Sequence, residues 1–149
     1  MGTARYYFAY GSNMDEGQMV LRCPNAKLVS RASLADHSFL INERGVASVT
    51  AATNRVVHGL LWTIDHTDEK ALDRFEGTGR GHYRKEVLQI QQTTDGAVDA
   101  LVYIASSNKS GIPRAGYMEK IKRTATEHGL PENYLAELQL WLQTSKHNS

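Results

Sequence analysis

The run Val56-Val57-His58-Gly59-Leu60-Leu61-Trp62-Thr63-Ile64 is apolar almost without interruption. Strict alternation would mark a strand with one wet face, whereas an unbroken apolar run predicts a strand covered on both sides. Such a strand belongs in the middle of a sheet, with neighbours along both edges. The chain that must supply them is 149 residues long and 41% hydrophobic, enough for one core and too little for two. A single domain spanning residues 1–149 follows.

The neighbouring strands are legible from their turns. Arg5 to Tyr10 is dense in aromatics and stops at Gly11-Ser12-Asn13, which predicts a strand running into a loop. Lys27 to Ser33, Ser38 to Ile41 and Val46 to Ala52 read as three further strands parted by polar or glycine-containing breaks. Arg84 to Gln91 and Val98 to Ala105 flank Thr93-Thr94-Asp95-Gly96, whose Asp-Gly pair is a hairpin signal. A short helix is expected over Asp15 to Leu21. A second begins at Thr67 as its cap, with Asp68 and Glu69 in the first turn, Ala71, Leu72 and Phe75 on its apolar side, and Gly77 and Gly79 ending it. Tyr117, Ile121, Ala125 and His128 recur at helical spacing before Gly129. Pro131 opens a last helix that docks through Tyr134, Leu135, Leu138, Trp141 and Leu142. Strands first and helices late make the class α+β, a small mixed barrel-like sheet with packed helices.

Charge excludes some partners. Lys and Arg total 17 against 16 Asp and Glu, without a basic block, so neither nucleic acid nor a membrane surface is an expected partner. Met1 to Arg5 lacks the apolar core and cleavage site of a signal peptide, and no apolar run reaches membrane-spanning length. The one cysteine, Cys23, fits a reducing cytoplasm and reads as a small residue near a helix end.

Motifs of familiar chemistry are mostly absent. Gly77-Thr78-Gly79-Arg80-Gly81 has neither the spacing nor the strand-to-helix order of a dinucleotide loop; it reads as a glycine turn that passes close to something lodged beside Glu76. The six histidines show no metal-ligand spacing, so no metal or other cofactor is expected. Ser12 lacks the second glycine of a nucleophile elbow. Glu76 is unusual: it ends an amphipathic helix, where its charge opposes the helix dipole. On spacing alone it is no more than a surface glutamate.

Taken together, Tyr7-Phe8-Ala9-Tyr10-Gly11-Ser12-Asn13, Gly59-Leu60-Leu61-Trp62 and Leu72-Asp73-Arg74-Phe75-Glu76-Gly77 resemble the γ-glutamylcyclotransferase family, which includes AIG2-like proteins. Tyr83, Tyr117 and Gly129-Leu130-Pro131-Glu132-Asn133-Tyr134 extend the resemblance over nearly the whole chain. It implies a small mixed barrel in which Tyr7, Phe8, Ala9, Tyr10, Gly11, Ser12 and Asn13 line a cavity for a γ-glutamyl group. It also implies Glu76 as the catalytic acid/base, with Tyr83 and Tyr117 helping to form the pocket. Asn42 to Arg55 departs from the better-known members in length and content, so the leaving amine is not carried over.

The implied reaction needs no external nucleophile. The α-amine of a γ-glutamyl amide attacks its own γ-carbonyl, closing 5-oxoproline and expelling an amine, while one carboxylate moves the proton. The expected partner is a small γ-glutamyl substrate, a γ-glutamyl amino acid or a related amide. Alternatives are the same cyclisation on a specialised metabolite and a non-catalytic binding module. A homodimer through aromatic residues near the last helix is a further expectation, set against packing of that helix on its own core.

Overall fold

The computed structural model describes residues 5–147, and side chains as far as residue 143. Residues 1–4, which bear on the absence of a signal peptide, lie outside the described residues. Five strands, Arg5–Ala9 (β1), Lys27–Ile41 (β2), Ala47–Ile64 (β3), Tyr83–Gln92 (β4) and Ala97–Ala105 (β5), close into a barrel in the order β1-β3-β2-β4-β5. All neighbours are antiparallel except β1 and β5, whose parallel pairing completes the ring. Helices Glu16–Arg22 (α1), His66–Glu76 (α2), Tyr117–Glu127 (α3) and Glu132–His147 (α4) pack outside it, giving the α+β barrel anticipated from the element order. Among the described residues, no helix is long and apolar enough to cross a membrane.

The apolar run is the second half of β3 and lies between β1 and β2. Its residues Leu60, Leu61 and Trp62 are buried on both faces, as the lack of alternation requires. Gly59 sits where β3 passes the end of β1. A Cβ there would stand 2.3 Å from the Ala9 carbonyl oxygen and 3.0 Å from Phe8 Cζ. The first of these is backbone held by strand pairing and cannot step aside. Gly59→Ala should therefore cost about 1–3 kcal/mol, the usual range for overpacking a core. The check is the urea midpoint, and an unaltered midpoint would contradict so close an approach.

Four strands expected over residues 27–64 are in fact two. The polar residues that read as breaks bend a continuous pair instead of ending it. Asp36 and Asn54 adopt positive φ of 59° and 65°, a region that Asp and Asn tolerate better than most side chains. The Asn54 N–H donates to Asp36 Oδ1 at 3.1 Å, and the register passes from Ala35 opposite Val56 to His37 opposite Ala51. The bulge turns the tip of this hairpin, residues 42–46, towards the end of the barrel. There the Ala105 N–H donates to Ser48 Oγ at 2.9 Å and Asn42 bridges to Ser110.

Two details of α2 also differ from expectation. Its cap is Asp65 and not Thr67: Asp65 Oδ1 accepts from the Asp68 N–H at 2.8 Å while Asp68 Oδ2 accepts from the Asp65 N–H at 3.2 Å. This reciprocal box satisfies two terminal groups at once, which a lone threonine does not. Phe75 is 55% exposed instead of joining Ala71 and Leu72 in the core; the Arg22 guanidinium lies over its ring at 4.4 Å. Gly77 does end the helix, in the left-handed conformation. On α4, Tyr134 and Leu138 are buried and Trp141 meets Phe39 edge-on at 6.5 Å, so this helix spends its aromatic residues on its own core.

Candidate active site

A cavity of about 370 Å³ opens at one end of the barrel. Its wall combines the loop after β1, the C-terminus of α2, the start of β4, the hairpin tip and the start of α3. Of the residues singled out in the sequence, Tyr7, Phe8, Tyr10, Gly11, Ser12, Asn13, Glu76, Tyr83 and Tyr117 all line it. Ala9 does not; its side chain is buried within the barrel and its backbone pairs with Leu60.

The loop after β1 is built to stay where it is. Residues Ser12–Met14 form one turn of 3-10 helix, closed by the Met14 N–H on the Gly11 carbonyl at 3.1 Å. Asn13 is buried and fully engaged: its Nδ2 donates to the Tyr7 hydroxyl at 2.9 Å, and its Oδ1 accepts from Gln18 Nε2 at 2.8 Å and Arg22 Nη1 at 3.0 Å. A side chain at Gly11 would press to 3.4 Å on both the Ala47 Cβ and the Tyr117 hydroxyl, so glycine keeps this corner open.

Glu76 is the last residue of α2 and the one carboxylate among the residues lining the cavity. Burial lifts its pKa to about 7, partly countered by the positive charge of Arg22. Desolvation disfavours the charged carboxylate, and the adjacent negative end of the helix works in the same sense. The side chain thus holds its proton much closer to neutral pH than an ordinary glutamate does.

Of the five tyrosines lining the cavity, Tyr103 donates to Asp73 Oδ1 at 2.7 Å, and the hydrogen bonds of the other four sort them into two kinds. The Tyr10 hydroxyl donates to the Tyr103 carbonyl at 2.5 Å, and that of Tyr83 donates to the Ala47 carbonyl at 2.6 Å. Those two protons are spent on the fold. Tyr7 and Tyr117 instead accept, from Asn13 Nδ2 and from the Ala47 N–H at 2.9 Å. Among the described residues neither donates to a protein acceptor, so each retains an O–H proton for a ligand. Burial raises the pKa of both phenols, that of Tyr117 to about 12, which keeps those protons in place.

In the glycine turn a Cβ on Gly79 or Gly81 would meet nothing within 4 Å, and Gly77 alone is crowded, by His82. A Cβ on Gly77 would stand 2.8 Å from the imidazole Cδ2. Cys23 is buried at the end of α1, where desolvation pushes its thiol to about 12, consistent with an inert packing residue. What the sequence did not single out is the cationic lining: Arg22, Arg44, Arg80, Arg114 and Lys120. They come from separate segments and form no block in the chain.

A family model described as the AIG2-like family matches residues 56–138, a stretch that includes Glu76, Tyr83 and Tyr117. The chain is 27% identical to mouse gamma-glutamylcyclotransferase over 92% of its own length and 78% of the mouse protein. Against human gamma-glutamylcyclotransferase it is 26% identical over 89% of its length and 76% of the human one. A solved structure described as gamma-glutamyl cyclotransferase superposes with a TM-score of 0.85 at 25% identity, over 92% of this chain and 87% of that one.

Proposed function

This chain belongs to the AIG2-like family, and from that premise we propose that it is a γ-glutamylcyclotransferase, converting a γ-glutamyl amide to 5-oxoproline and a free amine. The observation that carries the proposal is the isolated, desolvated carboxylate of Glu76 facing hydroxyl donors across a small cavity. The names of the mouse and human relatives point the same way.

The steps follow from the side chains. The loop from Tyr7 to Asn13 holds the γ-glutamyl group in a bent conformer, which removes much of the entropic barrier to ring closure. Glu76, ionised, takes a proton from the substrate's α-ammonium. A carboxylate raised to about 7 is a better match for the weakly acidic α-ammonium than an ordinary glutamate is. The freed amine attacks the γ-carbonyl carbon, and the oxyanion that forms is received by the O–H groups of Tyr117 and Tyr7 and by backbone N–H groups of the Gly11–Asn13 turn. Glu76 then returns its proton to the amide nitrogen, the C–N bond breaks, and the amine departs. The new ring nitrogen still carries a second proton, which passes to the departing amine, so the two protons lost by the α-ammonium leave with the amine as its own ammonium ion.

The test is release of 5-oxoproline, followed by mass spectrometry, from a panel of γ-glutamyl amides. No product from any of them, with the protein folded, would overturn the assignment. A pH profile adds a second check. Because Glu76 must start ionised, kcat/KM should rise with pH and reach half its plateau near pH 7. A flat profile between about pH 5.5 and 7.5 would remove Glu76 from the role of base.

A further inference from the structure

The cavity sets five cationic side chains against one carboxylate, more positive charge than a γ-glutamyl group needs. Two of the five are already engaged. Arg22 donates to Asn13 and lies over Phe75, and Lys120 pairs with Asp15 at 3.7 Å and donates to Gln18. The remaining three arrive from three different segments. Arg44 stands in the hairpin tip, Arg80 closes the turn Thr78–Arg80 after α2, and Arg114 precedes α3.

Among the described residues, none of these three guanidiniums pairs with a carboxylate. The acid next in sequence, Glu43, instead accepts from Ser107 Oγ at 3.0 Å. The arginines are nonetheless held near one another. Arg114 Nε donates to the Arg44 carbonyl at 2.9 Å, and the Arg114 N–H donates to the Gly45 carbonyl at 3.1 Å. All three line the same cavity as His82, whose proton affinity is lowered by desolvation and then by Arg44, Arg80 and Arg114 in turn. The imidazole is therefore less ready than an ordinary histidine to add a fourth charge. Three uncompensated guanidiniums at one mouth repel each other, and an anion with more than one charge relieves that repulsion.

An ordinary leaving amino acid brings one carboxylate, which one arginine can hold in bidentate fashion. We propose that Arg44, Arg80 and Arg114 form the subsite for the leaving amine, and that this amine is a dicarboxylic amino acid, so that the preferred substrate is γ-glutamyl-glutamate or γ-glutamyl-aspartate. The inference rests on the cyclotransferase reading and adds to it the class of the leaving group. It also gives the hairpin tip a purpose: the segment whose length and content depart from better-known members is the one that carries Arg44.

The experiment compares γ-glutamyl-glutamate with γ-glutamyl-glutamine, a neutral substrate of nearly the same shape, by 5-oxoproline release. The acidic substrate should lead by about 10- to 100-fold in kcat/KM at low salt, the worth of one charge-assisted contact, and the lead should shrink as salt is added. Arg80→Gln combined with Arg114→Gln should lower kcat/KM for the acidic substrate about 10-fold and affect the neutral one less. Both positions are exposed, and a urea titration of the double variant checks that losing the Arg114 Nε bond to the Arg44 carbonyl leaves the fold intact. Equal kcat/KM for the two substrates, or a ratio unmoved by the arginine changes, would overturn the subsite while leaving the cyclotransferase reading intact. A calorimetric arm with Glu76→Gln protein separates the two: tighter binding of γ-glutamyl-glutamate than of γ-glutamyl-glutamine supports the subsite even where no 5-oxoproline forms, and equal binding counts against it.

Discussion

Replacing Glu76 by glutamine is expected to lower turnover by about 100- to 10,000-fold, the usual contribution of a positioned acid/base group. The same substitution should make the protein more stable above neutral pH. In the folded chain Glu76 holds its proton to about pH 7, against an ordinary value of 4.5. Between those values the folded state binds more protons than the unfolded one, so stability falls as pH rises through that window. Ionised Glu76 thus weakens the fold by on the order of 3 kcal/mol at pH 8, and glutamine, which cannot ionise, should recover much of it. Thermal melts of both proteins at pH 5 and pH 8 provide the check. Curves that differ equally at the two pH values would mean that Glu76 is not desolvated; full turnover in the variant would end its assignment as the proton carrier.

Tyr117→Phe and Tyr83→Phe should part company, although both remove one hydroxyl from the same cavity. Tyr117 accepts from the Ala47 N–H and, in the proposed reaction, donates its own proton to the substrate oxyanion. Losing one such donor typically costs about 100- to 1,000-fold in kcat. Tyr83 spends its proton on the Ala47 carbonyl, so its loss should appear mainly as about 1 kcal/mol of stability, with a much smaller fall in kcat. Steady-state kinetics and urea titration of the two variants side by side read this out. Similar losses of kcat in both would mean that the two hydroxyls act through the shape of the cavity and not as donor and scaffold.

The sequence made the barrel legible because its signals were local: an apolar run without alternation, an Asp-Gly turn, helical spacing ended by glycine. The merging of four short strands into β2 and β3 was hidden because it depends on Asp36 and Asn54 adopting positive φ, and the polar residues that permit a bulge are the same ones that end strands. The cap of α2 was misplaced by two residues for a related reason, since Asp65 and Thr67 are both good caps and only the reciprocal bonds with Asp68 decide between them. At the site, Glu76 and the tyrosines stood out only through the joint pattern of distant motifs. The sorting of those tyrosines into donors and acceptors was invisible, because it depends on tertiary partners, for Tyr83 and Tyr117 on which backbone group of Ala47 each one meets. Arg44, Arg80 and Arg114 lie in three separate loops, and no spacing rule brings them together.

Tyr83 and Tyr117 grip the hairpin tip by its main chain, through the N–H and C=O of Ala47. Every amino acid except proline presents that same pair of groups. The grip is therefore indifferent to the side chains that follow one another along the turn, and residues such as Arg44 and Val46 can be exchanged while Tyr83 and Tyr117 stay in register. Under the proposed reaction, what is done to a substrate is thereby separated from which substrate is admitted, and a change in the second can be reached by single substitutions in one turn.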